Sequence, residues 1–266
     1  MSDARPVPVD DVVEQLRALG VRPGGVLQVH TSFRAVRPIE GGPSGLIDAL
    51  VRAVGASGTV VMPSWPEDAD VPFDPHRTPA ASDLGVVAQA FWQCPGARRT
   101  EHVQAFAAMG EQAERVLSDP LPLPPHIEAS PVGRVHELDG QILLLGVGHD
   151  ANTTIHLAEC IARVPYGRAK TCRAVVDGRP TLVEYRENDH CCQRFELVGD
   201  WLRDAGLEAE GPVGHGTARL ADARAIVEQV VSRLRAEPLL FLHGGDAGCE
   251  ECDDAHASIG DSDATP

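Results

Sequence analysis

A glycine turn joining a buried strand to a helix is a common place for an α/β chain to present reacting groups. The run Gly146-Val147-Gly148-His149-Asp150-Ala151-Asn152-Thr153-Thr154-Ile155-His156-Leu157-Ala158-Glu159 has that form. Asp150 stands where the helix begins, and His156 follows six residues later. A carboxylate beside an imidazole fixes its tautomer and raises its basicity, as a general base requires. The plainer reading is that Asp150 or Asn152 caps the helix and His156 packs in the core. Spacing by itself does not separate the two.

Three further clusters carry reactive types. His30-Thr31-Ser32-Phe33 follows a buried strand, and Gly41-Gly42 before Ser44 could offer backbone N–H groups to an anion. The glycine spacing fits neither a P-loop nor a dinucleotide fingerprint. Glu187-Asn188-Asp189-His190-Cys191-Cys192 closes a strand and opens a helix, so its carboxylates suit a helix cap, a substrate amine or a catalytic histidine. Glu67, Asp68, Asp70 and Asp74 crowd a loop beside Trp65 and Phe73. That is either a solvated loop or a site for a polycationic sugar, held by ion pairs and ring stacking.

Cys249-x-x-Cys252 supplies two metal-type ligands, with His243 six residues upstream and His256 four downstream. A structural zinc needs four ligands. Cys192, with its neighbours Cys191 and His190, is placed to complete the set, and the expected ligands are His243, Cys249, Cys252 and Cys192. A redox role fits poorly, because Glu250 and Glu251 disfavour a thiolate.

The elements that must position these groups read as α/β. A helix over Val12–Leu19 ends at Gly20, and a strand at Val26–Val29 follows. A helix through Leu46–Val54 and a strand at Thr59–Met62 repeat the unit. Glu67–Ala80 is a long Pro- and Asp-rich loop, unusual unless it is functional. A helix then runs from Ser82 to Trp92, and Gln141–Gly146 is the most strand-like run in the chain. Thr153–Ala162 reads as a helix, Cys172–Val175 and Thr181–Tyr185 as a hairpin about Asp177-Gly178. Helices are expected over about 189–202 and over 221–234. Residues 1–257 are expected to form one domain, with 258–266 a frayed tail.

The 266 residues are 43% hydrophobic, enough for a sizeable core. Lys and Arg total 23 against 39 Asp and Glu, a formal charge of −16, which argues against nucleic-acid binding. No run is long and apolar enough for a membrane span, and the start of the chain has no signal-peptide pattern. Seven scattered cysteines without an export signal point to a cytoplasmic protein with reduced thiols.

Taken together, His30-Thr31-Ser32-Phe33, Gly41-Gly42, Gly58-Thr59-Val60-Val61-Met62-Pro63, Arg99-Thr100-Glu101-His102 and Leu143-Leu144-Leu145-Gly146-Val147 resemble the aminoglycoside 3-N-acetyltransferases. The resemblance runs from about Val12 to Leu242. Gly148–Thr154 and the Cys249-x-x-Cys252 ending are most similar to the branch known for apramycin resistance.

The resemblance implies an antibiotic N-acetyltransferase-like α/β fold, a mixed central sheet flanked by helices and distinct from the common N-acetyltransferase fold. It also implies acetyl-CoA as cosubstrate in a ternary complex. The acid–base group would be Asp150, His156 and Glu187, with His156 taking the proton of the attacking amine and Asp189 able to stand in for Glu187. The acyl-CoA loop would be Thr31, Ser32, Phe33, Arg34, Ala35 and Val36, with His30 and His102 flanking the pantetheine arm. Phe33 and Arg34 replace the family's usual small hydroxyl residues, and Val103 a usual proline. Trp65, Glu67, Asp68 and Asp189 would meet the aminoglycoside, whose acceptor is the 3-amino group of a 2-deoxystreptamine of the apramycin, gentamicin or tobramycin type. Acetylation of another amine, or a zinc-stabilised protein that only binds cations, are the alternatives. Neither nucleic acid nor membrane is an expected partner, and the chain is expected to be a monomer or homodimer.

Overall fold

The computed structural model describes residues 4–118, 121, 123–176, 179–245 and 247–260. Nine strands are present among them: β1 (Val26–Thr31), β2 (Thr59–Pro63), β3 (Arg98–Arg99), β4 (Phe106–Gly110), β5 (Gln141–Leu145), β6 (Arg168–Val176), β7 (Arg179–Glu187), β8 (Glu208–Val213) and β9 (Gly216–Asp222). Seven form one sheet in the order β3-β4-β2-β1-β5-β9-β8, and β6 pairs with β7 as a separate hairpin. β1 lies parallel to both β2 and β5, while β4 and β9 add antiparallel to this centre. The sheet is therefore mixed.

Central strands covered on both faces should read as continuous apolar runs, as residues 60–62 of β2 and 142–145 of β5 do. β1 is interrupted by the buried Gln28 and His30. Leu27 and Val29 of β1, with Leu143 and Leu145 of β5, face a core shared with the helices Val9–Leu19 and Gly42–Val54. Val26, Ile142 and Leu144 face the opposite core, packed by the helices Thr154–Ala162, Leu197–Asp204 and Ala223–Ala236. The two-residue alternation of side chains decides which core each residue enters.

Beyond the C-terminal ends of β1, β2 and β5 the chain leaves room for a ligand, as open α/β sheets do. After β5, Gly146 turns the chain with φ of 71°, and a Cβ there would lie 2.6 Å from the Ala35 Cβ. Only glycine lets the two loops pass this closely.

Several element boundaries differ from the sequence reading. The helix expected from about residue 189 begins as a 3-10 turn at Gln193–Glu196 and becomes α-helical at Leu197, because the preceding residues turn back into the site. β9 runs on to Asp222, so the last long helix starts at Ala223 rather than Ala221. The hairpin β6–β7 is longer than its two apolar runs, and the turn read at Asp177-Gly178 lies outside the described residues. Ser258 is fastened rather than frayed: its hydroxyl accepts from the Gly167 N–H at 3.0 Å, and Arg186 donates to its carbonyl. Residues 261–266 lie outside the described residues. Among the described residues no helix is long and apolar enough to cross a membrane.

Candidate active site

His156 lies on the third residue of the helix Thr154–Ala162, with its ring 18% exposed toward a cavity of about 690 Å³. Its Nδ1 is 2.7 Å from the Glu159 Oε2, one turn on. Residues three apart share a helix face, which is why this pair meets. Glu159 is wholly buried and also accepts from His190 Nε2 at 2.9 Å and from the Tyr166 hydroxyl. The Cys192 N–H donates to His190 Nδ1 at 3.1 Å, which assigns the His190 proton to Nε2. Glu159 thus receives three donors. Burial alone would raise its pKa, but the bonds from His156 and His190 reverse this and hold it well below the usual carboxylate value.

This network fixes how His156 works. Nδ1–H points at Glu159, so in the neutral ring the lone pair is on Nε2, beside Cys192 Sγ at 3.5 Å. Burial pushes the ring pKa down. The Cys192 sulfur and the Glu159 carboxylate more than offset that, leaving it well above the ordinary imidazole value. In the structure the carboxylate bonded to the ring is that of Glu159; Asp150 and Glu187 line the cavity with no hydrogen bond to the ring among the described residues. Asp150 sits exposed on the cavity rim, and its backbone N–H donates to Glu196. Glu187 and Asp189 line the cavity too, each 3.0 Å from the Lys170 ammonium. His126 lies parallel to His156 at 5.3 Å between ring centroids. Burial and the His156 charge keep the His126 pKa well below its usual value.

The cavity wall is acidic. Glu67, Asp83, Asp150, Glu187 and Asp189 line it against one lysine, Lys170. Trp65 lines it as well, its ring also in T-shaped contact with Phe106 at 5.9 Å and His126 at 6.4 Å between centroids. The Glu67 carboxylate accepts from the Ser82 N–H and hydroxyl, which lowers its pKa. Asp68 is exposed and accepts from the Asp70 N–H, one step back from the cavity. Phe73 turns away and covers the Arg99 guanidinium at 4.7 Å.

An imidazole held by a buried carboxylate and facing an acidic cavity at the ends of parallel strands is suited to taking a proton from a cationic amine. The family model for aminoglycoside 3-N-acetyltransferase matches residues 28–235. The chain belongs to the aminoglycoside 3-N-acetyltransferase family. It is 58% identical over 238 residues to aminoglycoside N(3)-acetyltransferase IV of Salmonella sp, covering 90% of this chain and 91% of that one. The crystal structure of aminoglycoside acetyltransferase AAC(3)-IVa as apoenzyme superposes with a TM-score of 0.95 at 56% identity, covering 97% of this chain and 100% of that one. A histidine-to-alanine mutant of that enzyme, solved with apramycin, matches with a TM-score of 0.89 at 53% identity over 94% of this chain and 100% of that one.

In this acetyltransferase the residues expected to hold acyl-CoA divide between cavity and core. His30 and Thr31 line the cavity at the end of β1. Gln28 Nε2 is 3.0 Å from His30 Nε2, and burial, with the His149 charge, pushes the His30 pKa down to about 4. Ser32 precedes the short helix Phe33–Val36 and ties its N–H to the Leu145 carbonyl at 2.9 Å. Arg34 is exposed, Phe33 packs on the first core, and Val36 is fully buried in it. Val36 can therefore shape the loop only through its packing and backbone. His102 is buried while its neighbours Val103 and Gln104 line the cavity.

The cysteine cluster also differs in one member. Cys191, His243, Cys249 and Cys252 bring their ligand atoms within 4.8 Å of one another. Cys192 faces the other way, toward His156, because adjacent residues project to opposite sides and Cys192 adopts a left-handed φ of 57°. His256 Nε2 donates to the His243 carbonyl at 2.8 Å and so supports the cluster from outside.

Sequence reasoning missed Tyr166 and His126, and it named Glu159 and His190 without seeing that they form one network with His156. The spacing of His156 and Glu159 could have revealed their pairing. Nothing local marks His126, which lies in a proline-rich stretch and reaches the site with φ of 63°.

Proposed function

We propose that this acetyltransferase moves an acetyl group from acetyl-CoA to the 3-amino group of a 2-deoxystreptamine aminoglycoside such as apramycin or gentamicin, and so confers resistance. The observation that carries the reading is His156, its Nδ1 fixed by buried Glu159, facing a cavity walled by carboxylates. Relatives solved with gentamicin and with apramycin support the choice of acceptor. Nε2 takes the proton as the amine attacks the thioester carbonyl; the carbon–sulfur bond then breaks and His156 returns the proton to the CoA thiolate. Glu187, Asp189 and Asp150 hold the acceptor's other ammonium groups, and Lys170 neutralises part of that acid until the ligand arrives. The deciding experiment is thiol release from acetyl-CoA with apramycin and gentamicin offered separately. Turnover with either supports the reading; no turnover with both, in protein that binds acetyl-CoA, sinks it.

Two quantitative expectations follow from the geometry. The base must be neutral, and the His156 pKa is raised, so kcat/KM should climb with pH through a midpoint above 6.5 and level off beyond it. An acid limb centred below 6.5 would show that another group carries the proton. Asp189→Asn removes one charged contact, which should raise the aminoglycoside KM about tenfold with little change in kcat. An unchanged KM would place the ligand elsewhere in the cavity.

We also infer that Cys191, His243, Cys249 and Cys252 hold one structural zinc. In a tetrahedron with Zn–S of about 2.3 Å and Zn–N of about 2.0 Å, two sulfurs lie roughly 3.8 Å apart and a sulfur and a nitrogen roughly 3.5 Å apart. Here Cys191 Sγ is 3.3 Å from His243 Nδ1 and 3.7 Å from Cys252 Sγ, and Cys252 Sγ is 3.6 Å from His243 Nδ1. Three soft thiols and an imidazole suit zinc.

A further inference from the structure

Among the described residues that line the cavity, Cys192 is the one thiol, and the reaction above gives it no task. Its Sγ lies 3.5 Å from Nε2 of His156, whose Nδ1 is bound to buried Glu159 at 2.7 Å. Nucleophile, base and orienting carboxylate in that sequence are the parts of a Cys-His-Glu triad. The position of the sulfur matters as much as its neighbours. An amine that gives its proton to Nε2 must sit about 3 Å from that nitrogen, with its target carbonyl about 3–3.5 Å further on. Cys192 Sγ already stands at nearly the first of these distances from the same nitrogen. It is held there by its backbone, through the N–H bond to His190 Nδ1 and the left-handed turn. Its thiol also reaches the His190 carbonyl at 3.3 Å, so the S–H must turn from that oxygen to Nε2 to give up its proton.

We propose that Cys192 is an acetyl-accepting nucleophile, which attacks the thioester when no amine occupies the cavity and gives S-acetyl-Cys192. The inference rests on acetyl-CoA being the donor, as proposed above. His156 Nε2 takes the proton from Sγ–H, and the sulfur bonds to the acetyl carbon. The bond from that carbon to the CoA sulfur breaks, and the CoA thiolate leaves with the proton from His156. One thioester replaces another, so the exchange is close to thermoneutral and free CoA runs it backward. Water can also discharge the acetyl group, giving acetate and a slow loss of acetyl-CoA without acceptor. When an aminoglycoside is bound, its amine competes for the same Nε2, and the amide it forms is not returned to CoA.

The test is acetyl-CoA carrying a labelled acetyl group, in excess and with no aminoglycoside, followed by acid quench and peptide mapping. Label should accumulate on Cys192 with release of an equal amount of CoA thiol, and added CoA or hydroxylamine should remove it. Apramycin present from the start should suppress it. His156→Ala should slow labelling by about 10²–10⁴, and Cys192→Ser, confirmed folded by circular dichroism, should take no label. Absence of label from Cys192, or equal labelling of wild type and His156→Ala, overturns the proposal. Apramycin turnover by the same preparation separates the two readings. Turnover without label leaves the transferase reading standing and removes Cys192, whereas label without turnover keeps the nucleophile and removes the acceptor.

Discussion

Glu159→Gln is expected to lower kcat by about 10²–10⁴ while leaving the aminoglycoside KM within a few-fold. Glu159 is fully buried and is absent from the cavity wall, so the substitution removes no substrate contact. What it removes is the acceptor that holds the His156 proton on Nδ1. A glutamine that turns its amide nitrogen to Nδ1 donates instead, and the ring must then carry its proton on Nε2. That tautomer presents N–H rather than a lone pair to the substrate amine and cannot act as a base. If the glutamine keeps its oxygen toward His156, its nitrogen faces Tyr166 and His190, both of which already donate to this residue. Either orientation spoils part of the network. The ring also loses a negative neighbour, so the midpoint of any residual pH profile should move down from the raised wild-type position. Steady-state kinetics across pH, with a folded-state check by thermal melting, decides the matter. A kcat within about fivefold of wild type would show that Asp150 or Glu187 orients the ring during turnover.

The same histidine shows what a sequence can disclose. His156, the mixed sheet and the acidic cavity are all legible, because a glycine turn after an apolar strand and a run of motifs in fixed order are local features. Its partner reads from the sequence as Asp150 or Glu187, carboxylates at strand ends, since those are where α/β proteins expose polar groups. Glu159 reads as an ordinary helix residue, for glutamate is rarely fully buried. Its i+3 spacing from His156 is the available signal. The pairing of Glu187 lies out of reach for a different reason: its ion pair with Lys170 spans the two strands of a hairpin, and only the register Arg168↔Glu187 to Lys170↔Tyr185 places them side by side. β8 escapes because Glu208–Val213, Glu-Ala-Glu-Gly-Pro-Val, carries one large apolar residue and shows no alternation to read.

The adjacent cysteines give the second large effect, because one residue of register separates a metal corner from the active site. Cys191→Ser should abolish metal binding and lower stability by about 4 kcal/mol or more, at the extreme for one substitution, whereas Cys192→Ser should retain the metal. For a chain of this size the former is a fall of roughly 10 °C in Tm. The expected loss is large because this corner is tied down mainly by polar contacts at its edge, such as Arg168 with Asp254 and Gly167 with Ser258, over a small apolar cluster. Among the described residues its apolar cluster has Tyr166, Leu242, Cys252 and Ala255 as buried members, far fewer than either main core. A zinc held as proposed by Cys191, His243, Cys249 and Cys252 would supply a cross-link from the 190–192 turn to the helix Glu250–Ala257. The same corner touches the proposed base: Tyr166 donates to Glu159, and His190, the chain neighbour of Cys191, donates to it as well. Chelation of the wild type should therefore lower Tm and kcat together, with both restored by added zinc. Metal analysis finding well under half an equivalent in active protein, or a Cys191→Ser protein that melts with wild type, would rule out the zinc. Loss of metal from Cys192→Ser as well would mean that the turn at 190–192 rearranges when the ion binds, and that the two cysteines exchange roles.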